Sequence, residues 1–504
     1  MSDTPQHVTP GAMPTADTKP ISLHDGETPR HLSAALMALL LAAYGLGMAR
    51  DLSAPWIGLH DWNGAFYSQL ARNMIRYPFE DHRAMPLVAV GDAAPANERS
   101  IYATHPAGLV WLLAAAFRIA GESEAVGRAV AIFASLMAML LWIDRVRRRH
   151  DRETALLTGL IYAVLPLSVY YGRMVNHEAF CLLAMTLALA FWDRWNLLKG
   201  RVSGRLLAAV GWCAAVLLGI MIDWPMMLFA GLFCLHASWH WNTGRIPGSR
   251  LICCWAVFIG GVLLVLLHMV YGGLEGRWAD LIAIFTSRTT PAAAGLAARA
   301  WSHTIENFTL PVLALAAIHL LYGAQHLLRR SRLPTARRGD LPLASGDAAW
   351  VLHATGVIWL ALFLRQYQMH QYWVFYLGPA VALAAARGLL LLRDLAGRAG
   401  TRTAHGIAGV LVLLILYAGT DGSDAIFRRI QCPPEYIAVW KFLREATPPD
   451  QIVELPWNPI QTETFGGYTF RNITPPQLAY YLDRAFAYHP SPSSSAPPSS
   501  NLPD

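Results

Sequence analysis

The chain has 504 residues, 55% of them hydrophobic and 14% charged, with a mean hydropathy of +0.34. A soluble globular domain carries roughly a quarter charged residues, so this composition excludes an ordinary soluble protein and points to a polytopic helical membrane protein. The net charge of +7 is no sign of nucleic acid, because the arginines cluster in short loops between apolar runs, where the positive-inside rule places them on the cytoplasmic side.

Residues 1–31 lack a basic stretch followed at once by a short apolar run and a cleavage site, and are expected to be a disordered cytoplasmic tail. Span 1 follows at about Leu32–Met48. The next apolar run, Pro106–Ala120, is short for a crossing, which needs about 20 residues. If it crossed, Arg145-Val146-Arg147-Arg148-Arg149 would face outside, against the positive-inside rule. It is therefore expected to lie at the interface as a juxtamembrane helix. The first outer loop then runs from Ala49 to about Ala125.

With that choice every later basic cluster falls inside. Span 2 is read at about Val126–Ile143, span 3 at Ala155–Tyr171 and span 4 at Ala179–Leu197. Span 5 ends near Ile222 at the turn Asp223-Trp224-Pro225, where Asp223 reads as a cap, and span 6 ends near Trp241. Span 7 is Leu251–Tyr271, followed by a second outer loop to about Ile305; span 8 ends near Leu328. Spans 9, 10 and 11 are Ala349–Leu364, Trp373–Leu392 and Gly406–Ala418. The expected fold class is thus an all-α polytopic membrane protein with about eleven transmembrane helices plus juxtamembrane helices. Its expected divisions are a membrane domain over 32–420, a small extracytoplasmic α/β segment over 421–489 and a disordered Ser/Pro tail over 490–504. Five of the six cysteines fall in apolar runs, so no disulfide framework is expected.

Three outer stretches carry ionisable groups at helix ends, where each is a functional hypothesis by default. The first loop offers His60, Asp61, Asn63, Tyr67, Arg72, Tyr102 and His105. The second offers Arg173, Asn176, His177 and Glu178, and the penultimate Arg365, Tyr367, His370 and Tyr372. All share one side of the bilayer by this topology. Such a set could pair a carboxylate base with cationic and hydrogen-bonding groups for a lipid phosphate. A blander reading stands beside each. Asp61 caps the next helix, Glu178 suits a helix dipole, Arg173 snorkels to head groups, and His370 and Tyr372 anchor at the interface. Arg288 in the second large loop is a candidate phosphate clamp. There is no HExxH, P-loop or GxSxG motif, and no paired-aspartate metal motif in a nucleotide-sugar context, which argues against soluble-nucleotide chemistry.

Asp61-Trp62-Asn63-Gly64 after span 1, then Ala71-Arg72-Asn73-Met74-Ile75-Arg76-Tyr77, begin a set of motifs with a family likeness. Tyr102-Ala103-Thr104-His105-Pro106, Gly121-Glu122-Ser123-Glu124-Ala125-Val126-Gly127-Arg128, Tyr171-Gly172-Arg173-Met174-Val175-Asn176-His177-Glu178 and His370-Gln371-Tyr372 continue it. In this order and membrane placement the chain resembles the GT-C glycosyltransferases that use polyprenyl-phosphate-linked sugars. That group includes the protein O-mannosyltransferases and the aminoarabinose lipid A transferases, with bacterial family-39-like relatives. The resemblance covers roughly residues 32–390. It implies Asp61 as catalytic base and Glu178 as an assisting acid, and a departure at His105-Pro106, where relatives carry Lys-Pro at a phosphate-binding position. The substrate-binding set expected around them is His60, Asn63, Tyr67, Tyr102, His105, Arg173, Asn176, His177, Arg288, His370 and Tyr372.

The function so implied is an inverting transfer of a sugar from a polyprenyl-phosphate donor to an extracytoplasmic lipid, glycan or protein hydroxyl. It would occur at the inner membrane, with no cofactor and no metal; the partners would be membrane lipid, lipid-linked donor and acceptor. The rival is a transporter or flippase of a lipid-linked glycan. A transporter should show midplane charges, discontinuous helices and an internal repeat, whereas these acids sit at helix ends on one side.

Overall fold

The computed structural model describes residues 30–91, 100–198, 202–274, 278–289, 295–331, 347–449, 451–455, 476–484 and 486–488. The expected tails, 1–31 and 490–504, lie outside the described residues except for Arg30 and His31.

The chain is predominantly helical. α1 (Arg30–Met48) leads into a loop, then α2 (Trp62–Arg76) and the single turn α3 (Phe79–His82). A two-stranded antiparallel ribbon, β1 (Leu87–Val88) with β2 (Ser100–Ile101), precedes α4 (Gly108–Ala120). α5 (Glu124–Arg149) starts at Ser123, whose hydroxyl accepts from the Val126 N–H at 3.2 Å, and ends in three arginines that suit the negative end of the helix dipole. α6 (Arg152–Val164) is capped by Asp151 and stops where Pro166 opens α7 (Pro166–Tyr171), since proline cannot supply the N–H that would continue the ladder. α8 (His177–Leu197), α9 (Val202–Ile222), α10 (Trp224–Asn242) and α11 (Gly248–Met269) follow, the last closing in a π turn, Val270–Leu274. α12 (Trp278–Thr289) precedes α13 (Leu296–Phe308) and α14 (Leu310–Ser331). These two meet at 99° around Thr309, a non-glycine residue at φ +62°. α15 (Ala349–Leu362), α16 (Leu364–Tyr367), a 3-10 segment (Gln371–Leu377), α17 (Gly378–Ala396) and α18 (Thr401–Phe427) complete the bundle. The chain then forms α19 (Pro434–Ala446), β3 (Val453–Leu455), α20 (Pro476–Leu482) and β4 (Phe486–Tyr488), with β3 and β4 paired in parallel.

Among the described residues, five helices are long and apolar enough to cross a membrane: Glu124–Arg149, Val202–Ile222, Gly248–Gly273, Gln371–Ala399 and Thr401–Phe427, or six counting the bent pair α13–α14. This is fewer than the eleven spans read along the sequence. The physical reasons are local. The third expected span is broken at Pro166. α1 and α15 offer only the shorter apolar stretches Ala34–Met48 and Ala349–Leu362. α4 has 13 residues, about 20 Å of helix against a hydrocarbon core of about 30 Å, which suits the interfacial reading. The expected boundary at residue 420 falls inside α18.

α8 packs on α5 and α9, α14 and α6 pack on α17, and α10 packs on α11 and α15. At the arginine-rich end, Arg145 pairs with both Asp193 and Asp347, and Arg149 reaches Asp193 at 3.0 Å, so α5, α8 and the start of α15 are tied together. At the opposite end α20 lies on α2. Arg76 and Arg72 reach Asp483 at 2.6 and 3.2 Å, and Arg72 also meets Glu122. The C-terminal segment, expected from sequence as a small α/β unit, is thereby clamped on the helix that follows Asp61.

Gly64 is required here by close approach. A Cβ on it would stand 2.4 Å from the ring of Trp56, which is 1% exposed and cannot move aside. Gly64→Ala is expected to cost about 1–3 kcal/mol by overpacking. Unfolding in detergent would read it, and an unchanged midpoint would show that the Trp56 pocket gives way.

Candidate active site

The loop from Ala49 to Asp61 is shaped by one buried cation. Arg128, 1% exposed in the first half of α5, donates to the carbonyls of Leu52 (2.9 Å), Ala54 and Pro55 (3.3 Å) and lies over the Trp56 ring at 4.2 Å. It also donates to the Asp51 carbonyl at 3.5 Å, and its Nη2 donates to Asp61 Oδ2 at 3.1 Å, which ties the loop to the carboxylate. The Gly58 N–H donates to the same oxygen at 2.9 Å. Asp61 occupies the N-cap position of α2, yet its side chain makes no capping bond. Both of its hydrogen bonds fall on Oδ2, and Oδ1 has no partner among the described residues. The residue before it, His60, sits at φ +60°. A left-handed non-glycine residue costs of order 1 kcal/mol and needs a surrounding that holds it. Gln431 supplies this by accepting from the His60 N–H at 2.6 Å.

From Asp61 a wall of aromatic and polar groups extends along the helix ends. The His60 ring packs edge-on to Tyr372 at 5.2 Å and to His370 at 5.9 Å, and its Nε2 lies 3.3 Å from Gln371 Oε1, which also accepts from Tyr171 at 2.8 Å. Burial pulls His60 down to about 4, and burial, then His60 and Arg288, pull His370 down to about 3, so both are neutral at neutral pH. Asn63, fully buried, reaches the Tyr372 hydroxyl at 3.4 Å. One helical turn on, Tyr67 meets the edge of His177 at 4.9 Å, and Tyr102 stacks on His105 at 6.0 Å. The His105 and His177 rings stack at 4.4 Å with 21° between planes. His105 Nδ1 donates to Asp223 Oδ1 at 2.7 Å, and the Trp224 N–H donates to the same oxygen at 2.8 Å. Glu178, next to His177 in the first turn of α8, is 8% exposed, and its Oε2 has no hydrogen-bond partner among the described residues.

The structure therefore places His60, Asp61, Asn63, Tyr67, Tyr102, His105, His177, Glu178, His370 and Tyr372 along one continuous surface drawn from α2, the start of α8, the stretch before α4 and the 370–372 turn. Asn176 holds His177 Nδ1 at 3.0 Å from behind. Arg173 has a different setting. Its guanidinium donates to the carbonyls of Arg50 and Asp51 and lies over Phe427 at 5.1 Å, so it braces the loop. Burial, with Arg128 next, pulls it down to about 10. Arg288, half-buried on α12, is among the charges acting on Tyr102, His370 and Tyr372.

Two residues of this surface were not assigned to it from sequence. Asp223 does cap α10, as read, but the same carboxylate also pairs with His105. The available signal was its position in an outer turn, shared with the other acids. Arg128 stood inside the motif that enters α5; a cation near the start of an apolar helix was the sign that it serves a partner.

The model of the family described as dolichyl-phosphate-mannose-protein mannosyltransferase matches residues 104–260. No curated protein matches the chain. Among solved structures, ArnT from Cupriavidus metallidurans bound to undecaprenyl phosphate superposes with a TM-score of 0.57 at 13% identity, covering 91% of this chain and 86% of that one. AglB, the oligosaccharyltransferase of Archaeoglobus fulgidus in complex with an inhibitory peptide and a dolichol-phosphate, gives 0.61 at 13% identity, covering 90% of this chain and 64% of that one. At such identities the likeness is one of fold, and it runs nearly the length of the chain. With that shared fold and several helices long and apolar enough to cross a bilayer, the chain is a multi-pass membrane protein, and its residues 104–260 resemble the dolichyl-phosphate-mannose-protein mannosyltransferase family.

Proposed function

We propose that the protein transfers a sugar from a polyprenyl-phosphate donor to an acceptor hydroxyl on the extracytoplasmic side of the inner membrane, with inversion. The observation that carries this reading is the Asp61 carboxylate. One oxygen is held by Gly58 and Arg128, the other is without a partner, and the group sits at a helix start without capping it. That is the disposition of a positioned base. Asp61 takes the acceptor proton at Oδ1 as the acceptor oxygen attacks the anomeric carbon. The bond from that carbon to the phosphate oxygen breaks, and polyprenyl phosphate leaves with the electron pair. Arg288, whose charge acts on Tyr102, His370 and Tyr372, would stabilise the leaving phosphate, and the aromatic wall of Tyr67, Tyr102 and Tyr372 suits a sugar ring. Glu178 assists from the far end of the wall. No redox or group-carrying cofactor enters this scheme. The undecaprenyl phosphate bound to ArnT and the dolichol-phosphate bound to AglB support the donor class.

Mass spectrometry of lipids, glycans and proteins from a deletion strain tests this directly. The expected result is one class of acceptor lighter by a single sugar, restored by the wild-type gene and not by Asp61→Asn. Accumulation of an intact lipid-linked glycan on the cytoplasmic side, with every acceptor unchanged, would favour the flippase reading.

A further inference from the structure

His105, His177 and Asp223 offer three ligand atoms that lie within 4.8 Å of one another, from three separate parts of the chain. Four ligands around a tetrahedral zinc sit about 3.3 Å apart, given bonds of about 2.0–2.1 Å, so the three would draw in by at most about 1.5 Å to hold one ion. Two features make the cluster more than a packed set of polar groups. Glu178 Oε2 is buried, without a partner among the described residues, and Asp223 heads the charges that act on it. Among the described residues, neither Asp223 nor Glu178 is paired with a lysine or arginine. Two carboxylates buried near each other beside two imidazoles are destabilising unless a cation or a proton joins them.

We infer that His105, His177 and Asp223 form a site for one divalent transition cation of the zinc class, with Glu178 at its open side. This departs from the metal-free expectation of the sequence reading. Two imidazoles and a carboxylate with a vacant position are a zinc donor set. Asn176 Oδ1 holds His177 Nδ1 at 3.0 Å, which leaves Nε2 for the ion and fixes the ring, as outer partners of ligating histidines do. On His105 the ion takes the place of the proton now shared with Asp223. The rings of Tyr67 and Tyr102 pack on those of His177 and His105, and a zinc ion with a vacant position can take an anionic oxygen; a role toward the donor phosphate rests on the function proposed above, whereas the binding of the ion does not.

The test uses the full-length protein in detergent. Metal content after purification without chelator should show one equivalent of zinc per chain. After stripping, Co²⁺ should restore one equivalent with tetrahedral visible bands, displaced by Zn²⁺. Asp223→Asn keeps an oxygen for the Trp224 N–H and should fold, while weakening the ion at least about 100-fold; His177→Ala should abolish the bands. Asp61→Asn, outside the cluster, should keep them. Protein with no stoichiometric metal and no Co²⁺ bands, or with bands unchanged in both cluster variants, overturns the site. One bound equivalent in a protein that transfers no sugar supports the site and counts against the functional reading; transfer without any bound ion does the reverse.

Discussion

Asp61→Asn is expected to lower sugar transfer by about 10²–10⁴-fold while leaving the fold and donor binding in place. Asparagine keeps an oxygen for the Gly58 N–H and the Arg128 guanidinium, so the two bonds on Oδ2 persist. What it replaces is Oδ1, the atom without a partner, with an amide that cannot take a proton. The substitution also separates the two readings of this residue. Asn and Asp rank together at helix N-caps, so a residue that only started α2 would tolerate the change. The measurement is turnover with a polyprenyl-phosphate sugar in nanodiscs, with an unfolding midpoint recorded alongside. Wild-type turnover in a folded variant would remove Asp61 from the chemistry.

Arg128→Met should be the most damaging change to the structure of the site. The guanidinium is 2% exposed and serves the carbonyls of Leu52, Ala54 and Pro55 together with Asp61. Methionine fills the volume over Trp56 but leaves those acceptors unserved and the carboxylate alone. Removing one partner of a buried pair costs about 3–5 kcal/mol, discounted toward the lower end here because the Asp61 side chain is 16% exposed. Transfer should fall by about 100-fold from misplacement of the base. Arg128→Lys should recover part of the stability and little of the activity, since one ammonium cannot span both the carbonyls and the carboxylate. A Met variant that unfolds like wild type and retains turnover would show that the loop is held by other means.

The fold class was legible because it rests on local chemistry. Long apolar runs with arginines at alternate ends read as membrane helices wherever they occur, although the break at Pro166 inside the third expected span was not read. The candidate site residues were legible for a related reason. An ionisable or polar group at the end of an apolar helix is costly to keep, so His60, Asp61, His105, His177, Glu178 and His370 stood out one stretch at a time.

What the sequence determined by itself, then, was the membrane class, the approximate helix ends and the inventory of polar groups on one side. Tertiary structure decided which of those groups meet. Nothing local told that Arg173 would turn to the carbonyls of Arg50 and Asp51 while Arg128 took Asp61, since both are arginines near helix starts and the choice depends on how α5 and α7 approach the loop. Nor could spacing pair His105 with Asp223, 118 residues away, or seat Asp483 against Arg72 and Arg76. Such pairings are set by the packing of helices distant in sequence. Periodicity and hydropathy report only how each helix faces its surroundings, and carry no record of which neighbour it will find there.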